Sequence, residues 1–262
     1  MADGAFVELR ERGGIGWVHR DLAGLGLSPF WAELLPLADA KGRGGIGTLE
    51  LGGHDLVVRP YRRGGAFGAL LKDRYPGPAR ARRELQVLAA LRAQGVPVVA
   101  PMAAVARRVG AFWRLRLCTE RLLGALPLPQ FLARHANLRR RAAEAVGAVV
   151  RLAWTAGLRH PDLHVDNVLC VPSGERVRVV LVDLDRATLA AKADERAHDG
   201  MLVRMQRYLL RHRDRLAAVP TRAETQRFLR GLGLDRAQRR ATRERLAPQV
   251  SRAMRRRRLL RG

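Results

Sequence analysis

The apolar positions of the chain change their period partway along it. In the first part they fall in short runs between glycines. Residues 48–51 and 56–61 read as two strands joined by Gly52, Gly53, His54 and Asp55, a turn-rich segment suited to a hairpin. Residues 79–93 switch to helical spacing, with Leu85, Leu88, Ala89 and Leu91 apolar, and the stop signals Gly95 and Pro97 follow. Strand-like runs at 98–105 and 112–119 are divided by a turn at Gly110. Residues 138–156 place Ala142, Val146, Val149, Val150 and Ala153 on one face of a helix that Gly157 ends. A second hairpin, 168–171 and 177–182, turns at Pro172, Ser173, Gly174 and Glu175. Beyond about residue 187 the chain reads as arginine-rich helices. A β-leaning first part followed by a helical second part, with no long linker between them, predicts an α+β chain of two lobes. The expected lobes are 1–118, a small β-rich lobe with one major helix, and 119–262, larger and helical.

Candidate chemistry gathers around the second hairpin. His160-Pro161-Asp162-Leu163-His164-Val165-Asp166-Asn167 fits the H-x-D-L-x-x-x-N pattern of kinase catalytic loops. Phosphoryl transfer needs a carboxylate to orient the acceptor hydroxyl and take its proton, and a second oxygen ligand a few residues on to hold magnesium. Asp162 and Asn167 are the candidates for these two tasks. About twenty residues further on, Leu181-Val182-Asp183-Leu184-Asp185 is an apolar strand ending in two acids. Asp183 occupies the place of the metal-binding Asp of D-F-G, with Leu184 for its Phe and Asp185 for its Gly. Upstream, Gly42, Gly44 and Gly47 satisfy G-x-G-x-x-G. A hairpin follows them rather than a helix, as expected of a loop that covers nucleotide phosphates and unlike the dinucleotide-binding version. Arg59 then ends the second strand of that hairpin, where kinases carry a lysine, and Lys72 is the alternative cation. Glu84, the only acid in the 79–93 helix, is the expected partner carboxylate. Residues 119–122 are placed to be the hinge that meets the adenine. These features imply ATP and Mg2+ as cofactors.

Composition narrows the picture. A chain of 262 residues with 47% hydrophobic content can bury a sizeable core, so it is not a disordered segment. With 49 Lys+Arg against 24 Asp+Glu the formal charge is +25, which favours polyanionic partners such as nucleotide or phosphorylated lipid. Aromatics make up only 5%, and no aromatic-rich strand or helix-turn-helix pattern accompanies a basic run, so nucleic acid is not the expected partner. The opening residues lack the basic region and apolar stretch of a secretory signal, and no window approaches the roughly 20 apolar residues that span a bilayer. Export is therefore not expected, and membrane contact is expected to be peripheral. Cys118 and Cys170 are isolated, which suits buried thiols in a reducing compartment better than a disulfide or metal site.

The chain resembles the bacterial lipopolysaccharide kinases, and more narrowly the 3-deoxy-D-manno-octulosonic acid (Kdo) kinases. The resemblance is carried beyond the catalytic motifs by Arg59-Pro60-Tyr61-Arg62-Arg63-Gly64-Gly65-Ala66-Phe67-Gly68, similar to that family's R-H-Y-R-R-G-G segment with Pro60 in the place of its usual His. It is carried further by Arg83-Glu84-Leu85 and by Gly95-Val96-Pro97-Val98, and it extends from about residue 40 to 190. The resemblance implies a protein-kinase-like two-lobed fold. It also implies transfer of the ATP γ-phosphate to a hydroxyl of Kdo linked to lipid A, at the cytoplasmic face of the inner membrane. Arg62 and Arg63 would then contact the acceptor's carboxylate or phosphates. The +25 charge suits peripheral docking on an anionic leaflet, where each well-placed Lys or Arg adds about 1 kcal/mol. The rival is a soluble small-molecule kinase of the aminoglycoside or fructosamine type, which shares the H-x-D-L-H-x-x-N loop. A pseudokinase would lack one of Asp162, Asn167 and Asp183, and all three are present.

Overall fold

The computed structural model describes residues 4–37, 45–63 and 73–258, with side chains to 255. The chain forms two compact units. The first joins Met1–Ala93 to Val99–Leu122, and the second joins Gln94–Val98 to Leu123–Gly262.

The first unit is built on a seven-stranded antiparallel sheet in the order β1-β2-β6-β7-β5-β4-β3. The strands are β1 (Phe6–Glu11), β2 (Gly14–His19), β3 (Leu35–Pro36), β4 (Gly47–Leu51), β5 (His54–Pro60), β6 (Pro101–Val109) and β7 (Phe112–Glu120). Three hairpins of this sheet turn where glycine accepts the left-handed backbone, at Gly13 (φ 76°), at Gly52 and Gly53 (φ 59° and 78°) and at Gly110 (φ 61°). Period-2 alternation sorts the side chains. Leu56 and Val58 of β5, Ala103 and Val105 of β6, and Cys118 of β7 share one face, where Leu22, Leu27 and Phe30 of the segment after β2 cover them. Leu22 belongs to the short helix α1 (Arg20–Ala23). Helix α2 (Ala79–Ala93) packs against β6 and β7 and buries Ala81, Glu84, Leu85, Leu88 and Leu91. Each buried leucine there contributes roughly 1.5–3 kcal/mol.

The sequence reading placed a strand at 98–105. The strand instead begins at Pro101 and runs to Val109. Pro97 and Val98 belong to the second unit, where the Leu181 N–H donates to the Pro97 carbonyl at 3.0 Å and Val98 bridges Leu181 in parallel. Strands β1 and β2 were not anticipated. Only β2 is well buried, and β1 lies at the sheet edge with no strong alternation.

The second unit centres on α4 (Arg139–Thr155), after the short α3 (Leu128–Arg134). The face of α4 bearing Ala142, Val146, Val149, Val150 and Ala153 is buried. It packs on the three-stranded sheet β11-β10-β8, made of β8 (Leu126–Pro127), β10 (Val168–Ser173) and β11 (Arg176–Leu181). A small pair, β9 (Leu158–Arg159) with β12 (Thr188–Leu189), flanks the loop between them. Three helices complete the unit: α5 (Glu195–His212), α6 (Arg222–Gly231) and α7 (Arg236–Arg258). Helix α6 begins with a capping box in which Thr221 and Glu224 satisfy each other's backbone N–H groups. Glu224 also receives a two-pronged ion pair from Arg139, at 2.6 and 2.9 Å. Cys118 and Cys170 are both buried and free, and burial pushes each thiol up to about 12. No helix among the described residues is long and apolar enough to cross a membrane.

Candidate active site

In the first unit the site residues rise from β5 and α2. Leu56 and Val58 point into the core, so Arg59 points to the other face of the sheet. There its Nη2 donates to both oxygens of Glu84 at 2.6 Å. The Glu84 side chain is 0% exposed and that of Arg59 is 21% exposed. A carboxylate this deep needs both charge and hydrogen-bond partners. Tyr61, also buried, supplies a second donor through its hydroxyl. The Arg59 guanidinium lies 4.7 Å from the Tyr61 ring centroid, and Tyr61 stands edge-on to Tyr75 at 6.2 Å. Tyr61 and Tyr75 complete this cluster, and the sequence reading assigned neither of them a role.

Gly47 lies where β4 meets β3. A Cβ there would fall 2.5 Å from the Leu35 carbonyl oxygen, so close strand packing alone requires glycine. Gly42, Gly44 and Lys72 lie outside the described residues. Arg63 donates from Nε to the Arg74 carbonyl at 2.8 Å and its guanidinium sits 5.0 Å from the Tyr75 ring centroid, while Arg62 is exposed. In the expected hinge, the Arg121 N–H donates to the Asp55 carbonyl at 2.8 Å and its guanidinium pairs with the Asp55 carboxylate at 3.1 Å. This ties the residue after β7 to the start of β5.

In the second unit, residues 160–167 form a loop pinned by the buried Leu163 and Val165 and closed by a 3-10 turn at Val165–Asn167. The Asp162 N–H donates to His160 Nδ1 at 3.2 Å, so that nitrogen carries no proton. Burial pushes His160 down to about 4, against the opposing pull of the Asp183 carboxylate and backbone. The Asn167 side-chain N–H donates to the Asp162 carbonyl at 3.3 Å, which leaves the Asn167 amide oxygen as the atom it offers to a cation. The Val182 N–H donates to the Asn167 carbonyl at 3.0 Å, and this bond brings the acid-bearing strand end beside the loop. Asp183 follows at φ 58°, the only non-glycine among the described residues in the left-handed region. Aspartate is among the few side chains that tolerate that backbone, and the fully buried Leu184 anchors the turn behind it.

Helix α5 lays two residues one turn apart against the loop. The Arg204 guanidinium pairs with Asp162 Oδ1. The Tyr208 hydroxyl donates to Asp166 at 2.5 Å, and its ring stacks on His164 at 4.1 Å with 8° between the planes. Sequence reasoning missed both. Their only signal is an R-x-x-x-Y spacing on an amphipathic helix, and their partners lie 42 residues away. Among the described residues no three His, Cys, Asp or Glu side chains gather as a metal cage. A hard-oxygen pair such as Asn167 and Asp183 nevertheless suits magnesium, which takes one or two protein oxygens and completes its shell with phosphate and water.

One unit thus braces an Arg–Glu pair on an antiparallel sheet, and the other joins an H-x-D loop to an Asp-bearing strand end. Together they define a protein-kinase-like fold of two lobes. A solved structure described as WaaP in complex with acyl carrier protein shares the fold at a TM-score of 0.59 and 21% identity, over 84% of this chain and 87% of that one. Residues 30–232 match the lipopolysaccharide kinase (Kdo/WaaP) family. The 3-deoxy-D-manno-octulosonic acid kinase of Xylella fastidiosa (strain M12) is 32% identical over 194 residues, 72% of this chain and 76% of the relative. The enzyme of the same name from Xanthomonas oryzae pv. oryzae (strain PXO99A) is 34% identical over 189 residues, 70% of this chain and 73% of the relative. The chain belongs to the lipopolysaccharide kinase (Kdo/WaaP) family.

Proposed function

We propose that the chain transfers the γ-phosphoryl group of ATP to a hydroxyl of Kdo in the lipid A-linked inner core of lipopolysaccharide. The observation that carries this reading is the 32–34% identity to Kdo kinases over about three quarters of their length. In this reading Asp162 accepts a hydrogen bond from the acceptor hydroxyl and takes its proton as the oxygen attacks phosphorus. Arg204 fixes one oxygen of that carboxylate and leaves the other to orient the acceptor. Asn167 and Asp183 would hold Mg2+, which when bound neutralises charge on the phosphates. Arg59, held by Glu84 and Tyr61, would supply the cation that pairs with the phosphates, and Gly42, Gly44 and Gly47 would serve as phosphate-binding glycines. Arg62 is better suited than Arg63 to meet the carboxylate of the acceptor, because Arg63 is engaged by the Arg74 carbonyl and the Tyr75 ring.

The enzyme would work peripherally at the cytoplasmic face of the inner membrane, a reading supported by its +25 charge and by a lipid-linked acceptor. To test the function, the purified chain is incubated with ATP, Mg2+ and a panel of Kdo-lipid A precursors, aminoglycosides and glycated amines. A mass gain of one phosphate confined to the Kdo-bearing acceptors is expected. Phosphorylation of an aminoglycoside or glycated amine instead would overturn the acceptor assignment.

A further inference from the structure

One stripe of α5 is matched in spacing to the catalytic loop. Arg204, Tyr208 and His212 follow one another at intervals of four residues, so they lie along the same side of the helix. Arg204 pairs with Asp162, and Tyr208, one turn further on, donates through its hydroxyl to Asp166 at 2.5 Å. Asp162 and Asp166 are likewise four residues apart. A fully extended step of that length spans roughly 13 Å, whereas four residues of helix advance only about 6 Å. Anchors this close suit a loop that is folded back on itself, and Leu163 and Val165 between the two acids are buried. The remaining residue of the step, His164, lies flat on the Tyr208 ring at 4.1 Å, and the His212 ring lies 4.4 Å from the same tyrosine. Among the described residues the Tyr208 hydroxyl is the only hydrogen-bond donor to the Asp166 carboxylate.

The helix is held by contacts that do not involve the loop. Asp194 caps its first turn, accepting from the Arg196 and Ala197 N–H groups. His198 stacks on Trp154 of α4 at 4.3 Å, and Met201, Leu202 and Met205 are buried. Asp199 receives a two-pronged ion pair from Arg245 of α7, at 2.8 and 2.9 Å. The helix is therefore the scaffold, and the loop is the part that it positions. Asn167 comes directly after Asp166. Its backbone N–H donates to the His164 carbonyl at 3.0 Å and its amide N–H to the Asp162 carbonyl at 3.3 Å. The direction of its amide oxygen thus depends on where His164 and Asp166 sit, and both of them touch Tyr208. Magnesium demands near-ideal octahedral geometry, so it is sensitive to a small displacement of a protein oxygen.

We infer that Tyr208 is a positioning residue for phosphoryl transfer: through Asp166 and His164 it fixes the loop so that the Asn167 amide oxygen is presented to magnesium. The inference rests on the assignment of Asn167 as a magnesium ligand made above, and it holds whichever acceptor is phosphorylated. Nucleotide binding tests it without any acceptor or turnover. ADP is titrated calorimetrically into the full chain in EDTA and over a series of Mg2+ concentrations. The proteins compared are the wild type, Tyr208→Phe, Asp166→Ala, the double variant, and Gln206→Ala as a control at an exposed position of the same helix. Tyr208→Phe keeps the ring that stacks on His164 and removes only the hydroxyl. It should weaken ADP binding about tenfold in Mg2+, the lower end of the effect of partners that orient a metal ligand, and leave the affinity in EDTA unchanged. Because Tyr208 acts through Asp166, the double variant should lose no more than Asp166→Ala alone. Gln206→Ala should bind as the wild type does, and circular dichroism confirms that each variant is folded. Wild-type affinity of Tyr208→Phe in Mg2+, an equal loss in EDTA, or losses that add in the double variant would overturn the role of Tyr208 alone. Wild-type binding that does not respond to Mg2+ would overturn the magnesium assignment itself, and the inference with it.

Discussion

At the residue scale, the two acids at the heart of the site are held by different means, and both can be replaced without disturbing the backbone. Asp162 is fixed by the His160 ring through its N–H and by Arg204 through its carboxylate. Asp183 sits at φ 58°, which asparagine tolerates about as well as aspartate. Asp162→Asn and Asp183→Asn should therefore stay folded while turnover falls by about 10²–10⁴-fold, the usual contribution of such a group. Steady-state rates with circular dichroism as a control check this, and near-normal rates in both would remove these residues from the mechanism. Arg59 presents a different case, since its partner Glu84 is fully buried. Arg59→Ala removes the charged hydrogen bonds that Glu84 accepts from the guanidinium and should cost about 1–3 kcal/mol of stability, measured by denaturant unfolding, as well as ATP use. Lys72→Ala should change ATP use far less, and the reverse order would move the phosphate-positioning role to Lys72. Arg59→Lys should keep partial activity, because an ammonium lacks the fork.

At the scale of elements, the α4–α6 crossing brings the two backbones into direct contact at Gly147 and Gly231. Gly147→Ala or Gly231→Ala drives a methyl group into a backbone carbonyl, which cannot rotate aside as a side chain can. Each should destabilise the unit by about 1–3 kcal/mol or more, read as a lowered denaturation midpoint with an unchanged slope. The same crossing carries a pH signature. Burial raises the Glu224 carboxyl, but hydrogen bonds from Arg139 and Thr221 outweigh it and leave it below the usual value. A depressed carboxylate contributes stability above its unfolded pKa and loses it as pH falls through the folded value. Stability should therefore drop as pH falls below about 4.5, the ordinary value for Glu. Glu224→Gln should flatten that part of the curve; an unaltered curve would show that the pair contributes nothing.

At the scale of the whole molecule, charge is the dominant property. A formal +25 spread over both units should hold the protein to anionic vesicles at low salt. Exposed charges are screened over roughly 8 Å at physiological ionic strength, so binding should fall steeply as salt rises, and neutral vesicles should bind poorly. The basic run 255–261 closes the chain, and its side chains beyond residue 255 lie outside the described residues. Truncation before Met254 tests whether it anchors the enzyme. Activity on a soluble Kdo acceptor should persist while vesicle binding and lipid-linked turnover fall, and unchanged vesicle binding would refute the anchoring role.

What the sequence determined by itself is whatever is written in short spacings. The helix at 79–93 and both hairpins follow from apolar period and glycine stops within a few residues of each other. The shape of the loop from His160 to Asn167 was legible for the same reason, since the residues that close it lie within a few positions of one another. Tertiary structure decided everything that required distant residues to meet. It added β1 and β2 to the sheet, it gave Gly47 a packing role against Leu35, and it bonded Val182 to Asn167. It also brought Arg204 and Tyr208 across 42 residues to the loop. The physical reason is that backbone propensity and period act over a turn or two, whereas the partner of a buried or charged side chain is chosen by how the elements pack.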